Sequence, residues 1–223
     1  MKFKLIIMIL SSFILSSSGM FYDDGAYVEG IFSTQAETDI EGDDFTTTQY
    51  GGGVGYFINP NIEVYAGFSL YDEEYDNSEF SDYDINGTQI DFGGAYHYRD
   101  ALDMNGNFLN LRFGAEYSML TLDSKFFGDE LDASATNTAL MVGAYLPMTV
   151  GGFDVVPFVS FSSNNMTVKL SGYGETVEES ETSTGTVLGM GINVGNFVIT
   201  PLINIDDEGS TRMSIACSMG IAL

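Results

Sequence analysis

The chain has 223 residues, is 44% hydrophobic and carries a formal net charge of −25, from 7 Lys and Arg against 32 Asp and Glu. So few bases exclude nucleic acid as a partner, and they exclude attachment to an anionic membrane surface through basic patches. A single cysteine, Cys217, excludes a framework of internal disulfides.

The first 19 residues have the pattern of a secretory signal peptide. Lys2 and Lys4 precede an apolar run from Leu5 to Leu15, and small residues follow as far as Gly19. The run is about half the roughly 20 residues that a membrane-spanning helix needs. We therefore expect cleavage after Gly19, which leaves residues 20–223 as one domain. No cysteine lies near the cut, so we do not expect a lipid anchor.

Apolar residues alternate with small or polar ones along the whole mature chain, a period of two that predicts strands rather than helices. The alternation continues to the last residue, Leu223. The predicted strands, in chain order, are 21–33, 45–58, 61–72, 84–99, 107–122, 135–150, 153–169, 183–195, 197–206 and 210–223.

The connections between these strands alternate in kind. Tight turns are predicted at Asn59-Pro60, Gly151-Gly152 and Gly195-Asn196, with a slightly longer turn at 100–106 on the same side. The connections on the other side are polar, and all but the short last one, near 206–209, are long: 34–44, 73–83, 123–134 and 170–182. The first, second and fourth of these long loops are markedly acidic. An even strand count with short turns on one side and long loops on the other is typical of an outer-membrane barrel.

One face of the strands is apolar and the other carries ionisable residues, which indicates that the apolar face contacts lipid. In hydrocarbon a sheet must close on itself, so alternate side chains face lipid or lumen. Four ionisable residues, Glu63, Asp91, Arg112 and Glu116, lie mid-strand on the face opposite the apolar one, where an apolar soluble core would exclude them. Aromatic residues near the turns predict an interfacial girdle: Tyr56, Tyr96, Tyr98, Tyr145, Phe153 and Phe197. A secreted or periplasmic β-sandwich is the alternative.

With its signal peptide, alternation, unequal loops and terminal strand, the mature chain resembles small bacterial outer-membrane barrels of the OmpA/OmpX-like, opacity-protein-like type. The resemblance implies an all-β fold, a closed antiparallel up-and-down transmembrane barrel. It also implies outer-membrane lipids and the barrel assembly machinery as partners. Barrels of this type usually end in Phe, whereas this chain ends in Leu223. They most often have eight strands; the sequence predicts ten, with eight as the alternative.

Arg112 is the base predicted on the lumen face, and a charge inside a narrow barrel needs a counter-ion. Pairing the fourth and fifth strands across the 100–106 turn predicts Asp91 as its partner, with Glu116 and Glu63 near by. A structural network is favoured over a selectivity or gating element.

No enzyme, metal site or cofactor is predicted. His97 is the one histidine in the chain and has no serine beside it, and no GxSxG, HExxH or paired-cysteine motif occurs. Residues 82–87 match the first half of an EF-hand loop, but Gln89 and Gly93 stand where an apolar residue and a bidentate Glu belong.

These features predict a structural or surface-interaction barrel with a largely plugged lumen. A narrow cation-selective channel is the alternative, and a lipid-acting enzyme is a weaker one. The predicted lumen faces are rich in glycine, which leaves a channel unless Tyr65, Tyr71, Tyr145 and Phe158 fold across it. The acidic loops are expected to be solvated, or to bind Ca²⁺ or Mg²⁺ that bridges to lipopolysaccharide phosphates. Their carboxylates are Glu37, Asp39, Glu41, Asp43, Asp44, Asp72, Glu73, Glu74, Asp76, Glu79 and Asp82.

Overall fold

A computed structural model describes residues 18–38, 44–75, 84–126, 129–172, 175–206 and 211–221. They form one 3-10 helix, η1 (Ser18–Phe21), and eleven β-segments. These are β1 (Ala26–Thr38), β2 (Asp44–Asn59), β3 (Ile62–Tyr75), β4 (Asp84–Met104), β5 (Asn107–Phe126), β6 (Asp129–Tyr145), β7 (Met148–Val150), β8 (Phe153–Gly172), β9 (Glu175–Val194), β10 (Phe197–Asp206) and β11 (Thr211–Ile221). In these ranges no helix has the length and apolar character needed to cross a membrane.

The segments form a closed antiparallel barrel. Neighbours in sequence pair with each other, and β1 pairs with β11 from Ala26 opposite Ile221 to Thr34 opposite Met213. Both β6 and β7 pair with β8, so they are two parts of one strand, interrupted at 146–147. Proline lacks an N–H group, which accounts for the break at Pro147. The described residues therefore build ten barrel strands. The prediction of ten is confirmed, and the alternative of eight is wrong.

The tight turns and both termini of the barrel wall lie at one end, which we call the turn end; the opposite end is the loop end. Gly151 and Gly152 have φ values of 61° and 88°, and Asn105 and Gly106 have 59° and 90°. Positive φ at both central residues is the type I′ geometry that matches the twist of paired strands. The prediction of a slightly longer turn over 100–106 is wrong, because β4 continues through an irregularity between Tyr98 and Leu102 and turns only at Asn105-Gly106.

Other strand boundaries also differ from the prediction. The first strand begins at Ala26 rather than at 21, because Ser18–Phe21 forms η1. β8 and β9 pair as far as Gly172 opposite Glu175, so most of the predicted loop 170–182 is strand. Strand residues outside the hydrocarbon need no apolar face, and the missing alternation hid them from the sequence pattern.

The barrel wall is apolar outside and polar inside, the reverse of a water-soluble barrel. Val54, for example, is 57% exposed on the outer face, whereas Glu63 and Arg112 are 0% and 3% exposed on the inner face. Strands β3, β4, β5, β6 and β11 all present their apolar face outward, as the alternation predicts.

The outward-facing apolar residues form a band around the barrel, and towards the loop end this band stops at a similar height on most strands. Along nine strands the last outward apolar residue is followed, two positions further towards the loop end, by a polar one. These polar residues are Thr34, Thr48, Asp72, Thr88, Thr121, Thr138, Ser163, Thr186 and Thr211. β5 and β8 have 20 residues each, about twice the 9–11 that a tilted strand needs to span hydrocarbon. The strands therefore extend well beyond the apolar band.

Three strands also change the polarity of their inner face towards the loop end. On β5, β6 and β8 a group of buried apolar residues lies there: Leu120, Leu122, Ala133, Ala135, Met166 and Val168. These strands are thus polar outside and largely apolar inside at this end, although the buried Asn137 on β6, like Thr47 on β2, is polar.

A charge placed in the apolar band should destabilise the barrel more than the same charge beyond it. Val54 lies in a row of outward apolar residues, opposite Val28 and Ala66. We expect Val54→Arg to lower the free energy of unfolding by about 2–4 kcal/mol if it lies near the midplane, and Asn165→Arg, in a polar row, by about 0–1 kcal/mol. Urea unfolding in lipid vesicles measures both; equal effects would contradict an apolar band in contact with hydrocarbon.

Candidate functional site

The most buried charge in the barrel is Glu63, which projects from β3 into the lumen near the turn end. Its Oε2 accepts from Arg112 Nη2 at 3.2 Å and lies 3.0 Å from His97 Nε2, and its Oε1 accepts from the Tyr27 hydroxyl. β4 and β5 place His97 directly opposite Arg112. One carboxylate thus connects four strands, β1, β3, β4 and β5. We call Tyr27, Glu63, His97, Arg112 and Tyr145 the turn-end network.

His97 has both ring nitrogens engaged. Nε2 contacts Glu63, and Nδ1 lies 3.0 Å from the hydroxyl of Tyr145. The ring is fully buried and packs against Phe57, with ring centroids 5.4 Å apart. The histidine is therefore a lumen residue that links Glu63 to the sixth strand, a contact that the sequence pattern did not predict.

Asp91 does not pair with Arg112, contrary to the prediction. On β5 the residue opposite Asp91 is Ser118, whereas the residue opposite Arg112 is His97, six positions along β4. Six strand residues span about 20 Å. Asp91 instead accepts from the Gln89 side-chain amide.

Glu116 lies between these two regions of the lumen. Its Oε2 accepts from the Tyr65 hydroxyl at 3.0 Å, and its Oε1 accepts from Ser118 Oγ at 3.3 Å. The Arg112 guanidinium carbon is 5.7 Å from the centre of the Tyr65 ring, within the range of a cation–π contact. Tyr65 thus connects Glu116 to the turn-end network.

A cavity of about 30 Å³ opens beside Glu116, and its lining includes Glu29, Gln49, Ser69 and Asp91. That volume holds about two water molecules. The buried Gln49 Oε1 has no hydrogen-bond partner among the described residues. The cavity is therefore polar and acidic.

Several lumen glycines are covered by aromatic rings. A Cβ atom added to Gly55, Gly93 or Gly189 would overlap the ring of Tyr27, Tyr65 or Phe158 respectively. Tyr27, Tyr65 and Phe158 lie directly opposite those glycines on the neighbouring strands. Glycine therefore provides the space in which large side chains lie flat across the inner wall.

The described residues before β1 lie in the opening of the lumen at the turn end. Met20 is buried with Tyr145, Val156, Phe158, Val187 and Leu202. The Phe21 ring packs edge-on against Phe158, with centroids 6.2 Å apart. Arg99 Nη2 donates to the Tyr22 carbonyl at 3.0 Å, and Nη1 donates to Asp23.

Tyr22 fixes the end of this segment to the wall. Its ring stacks on Tyr27 at 5.2 Å, and its hydroxyl lies 3.0 Å from Ser218 Oγ. Burial raises the pKa of the Tyr22 phenol above its ordinary value. The segment after the predicted cleavage site is thus held by packing and hydrogen bonds.

Sequence reasoning missed part of the site. Arg212 is a second buried arginine on the inner face of β11, 3% exposed. Arg212 falls on the same alternate positions of the last strand as Ser214 and Ala216. That position was the sequence signal that could have placed it in the lumen. Tyr145 was predicted in the girdle but is buried in the lumen, because it follows Ala139 and Met141 on the inner face. The other predicted girdle residues are exposed: Tyr56, Tyr96, Tyr98, Phe153 and Phe197.

Positions 39–43, 76–83 and 173–174 of the predicted acidic loops lie outside the described residues, and so do positions 82 and 83 of the EF-hand-like sequence. Positions 84–87 belong to β4, where Asp84 lies opposite Lys125, so they form a strand rather than an ion-binding loop. Within the described ranges no group of three His, Cys, Asp or Glu side chains has an arrangement that could hold a metal ion.

The closed barrel with its apolar outer band can now be compared with known proteins. Residues 9–151, more than half of the chain, match the model of the outer membrane protein beta-barrel domain. The chain belongs to this family. It is therefore a β-barrel protein of the bacterial outer membrane, and the turn end of such a barrel faces the periplasm. None of the curated proteins compared with it matches in sequence.

Solved structures with a similar fold include several outer-membrane barrels. The transport unit of the autotransporter AIDA-I from Escherichia coli is 10% identical, with a TM-score of 0.50 over 99% of this chain and 97% of that one. The translocator domain of the autotransporter NalP from Neisseria meningitidis is 11% identical, with a TM-score of 0.47 over 89% and 88%. Neisserial surface protein A is 12% identical, with a TM-score of 0.44 over 88% and 97%. At such identities the comparison concerns the fold alone.

Removing the cation of the turn-end network should destabilise the barrel. Arg112→Ala leaves Glu63 buried without its arginine, and loss of one partner of a buried ion pair costs about 3–5 kcal/mol. The control is Lys169→Ala, whose pair with Glu178 is about half exposed on both sides, where the loss of a surface pair costs roughly 0–1 kcal/mol. Urea unfolding of the refolded barrel measures both, and an unchanged midpoint for Arg112→Ala would contradict a stabilising network.

Proposed function

We propose that this protein is a structural, surface-exposed barrel without catalytic activity, whose lumen is largely plugged. The observation that carries the proposal is the turn-end network, in which Glu63, His97, Arg112 and Tyr145 meet inside the wall. Barrels of about eight strands are filled by their own side chains, and ten strands make a lumen only slightly wider. The aromatic rings over Gly55, Gly93 and Gly189 support the same conclusion.

The proposal that the protein is not an enzyme rests on the hydrogen-bond partners and the burial of its polar lumen residues. His97 contacts an acid and a phenol through its two ring nitrogens, which suits a structural role better than proton transfer to a substrate. Glu63 is fully buried, so a substrate has no access to it.

A narrow cation-selective channel is the second candidate, and the acidic cavity favours it. Glu29, Asp91 and Glu116 line this cavity, and the inner wall beside it is formed by Gly52 and Gly67. Carboxylates in a low-dielectric wall attract cations. A cation entering from the loop end would meet this cavity before the turn-end network.

Recording in a planar bilayer separates the two functions. We expect residues 20–223, refolded in detergent, to give no steady conductance, because aromatic rings cover the inner wall. The double variant Tyr27→Ala, Tyr65→Ala should give cation-selective steps, because it uncovers Gly55 and Gly93. A steady cation-selective current from the wild type would favour the channel, and an anion-selective current would contradict both functions.

The matched control for the double variant is Tyr56→Ala, which removes a tyrosine from the outer face of β2. It should leave the bilayer silent, because the ring of Tyr56 does not face the lumen. A current from this variant would show that the barrel leaks whenever a tyrosine is removed.

We also propose that the acidic loop end binds divalent cations that bridge to lipopolysaccharide phosphates. In the described part of the chain, Asp72 on β3 and Asp123 on β5 are exposed on the outer face just beyond the apolar band, in one row with Asn86 on β4. On β9, the outward Glu178 already pairs with Lys169 at 3.2 Å. Asp72 and Asp123 therefore support the proposal, since Ca²⁺ and Mg²⁺ prefer oxygen ligands.

Replacing these carboxylates should weaken calcium-dependent retention of lipopolysaccharide. The double variant Asp72→Asn, Asp123→Asn should bind less lipopolysaccharide in the presence of Ca²⁺ than the wild type, measured by co-purification from defined mixed micelles. Asp154→Asn, at the turn end, is the control and should behave like the wild type. Retention that is equal with Ca²⁺ and with a chelator would contradict the bridging role.

A further inference from the structure

The first described residues of the chain lie inside the lumen, against the carboxylate of Glu63 in the turn-end network. Gly19 is buried, and any side chain at position 19 would overlap the carboxylate of Glu63. The Cα atom of Gly19 therefore touches that carboxylate. Glycine is the residue that permits such a close approach.

The amide nitrogen of Met20 follows Gly19 Cα by two covalent bonds. It therefore lies within roughly 6 Å of the Glu63 carboxylate. The side chain of Met20 is 4% exposed and packs in an apolar cluster with Tyr145 and Phe158, which holds this nitrogen in place. Tyr22 and Asp23, bonded to Arg99, hold the segment from its other side.

We propose that cleavage after Gly19 creates an α-ammonium group on Met20 that forms a buried ion pair with Glu63. Hydrolysis of the Gly19–Met20 peptide bond by a leader peptidase consumes one water; the carboxylate remains on Gly19 of the leader, and the amine on Met20 takes up a proton. This goes beyond the proposed function, because it assigns a binding site for the processed N-terminus of the chain itself.

The charges of the lumen favour an additional cation at this place. Arg112 is the cation bonded to Glu63, while Glu116 adds a second buried carboxylate that is linked to Arg112 through Tyr65. Buried charges are tolerated when they are paired and hydrogen-bonded. An amide nitrogen of the uncleaved chain carries no charge, so only the processed chain can make this pair.

Amine labelling of the native protein tests the proposal. The full chain is expressed with its leader, isolated from outer membranes and analysed by intact mass, which should give Met20 as the first residue. The mature chain then has three amines: the α-amine, Lys125 and Lys169. An acylating reagent should modify the half-exposed Lys169 readily, but the α-amine at least about tenfold more slowly than in the urea-unfolded chain, because access requires local opening.

Variants identify the partner of the amine. Glu63→Gln should make the α-amine react several-fold faster than in the wild type, whereas Asp91→Asn, which removes a different lumen carboxylate, should leave it protected. If Glu63→Gln does not fold, the wild-type labelling alone decides. A mature chain that starts at any residue other than Met20, or an α-amine that reacts as fast as Lys169, would overturn the proposal. Neither readout depends on conductance, so this result stands apart from that of the bilayer recordings.

Discussion

The pairing of β1 with β11 is the constraint on which the rest of the structure depends. An open sheet would leave two rows of backbone N–H and C=O groups in hydrocarbon, where each unsatisfied group costs several kcal/mol. Closure removes both edges, and it also separates the side chains of each strand into a lipid face and a lumen face. The wall can then be apolar outside, as at Val54, and charged inside, as at Glu63.

Closure also creates the electrostatic problem that the turn-end network resolves. A carboxylate with no exposure to water needs compensation from the protein, and Glu63 receives it from an arginine, a histidine and a tyrosine on three other strands. Because these partners come from β1, β4 and β5, the network also fixes the positions of those strands relative to one another. The side chains of this network also fill the lumen near the turn end. The residues that compensate the charge of Glu63 are therefore the ones that narrow the opening of the barrel.

The sequence predicted the fold better than the site for a physical reason. Alternation reports which face a residue occupies, and it placed Glu63, Asp91, Arg112 and Glu116 on one inner face, where the structure also has them. It does not report the level of a residue along the barrel axis, because that depends on register. The assumed turn at 100–106 suggested Asp91 as the partner of Arg112, whereas the register of β4 and β5 puts His97 there.

The same reasoning explains why the long loops were overestimated. Lipid contact generates alternation only within the apolar band, so the strand residues 170–172 and 175–182, which lie beyond it, gave no signal. Nearer the band, the inner face of β5 and β8 is filled by Leu120, Leu122, Met166 and Val168. On β5, β6 and β8, a polar outer face beyond the apolar band suits contact with water. The barrel wall therefore continues beyond that band as paired strands, with β8 and β9 in register as far as Gly172 opposite Glu175, because backbone pairing does not depend on contact with lipid.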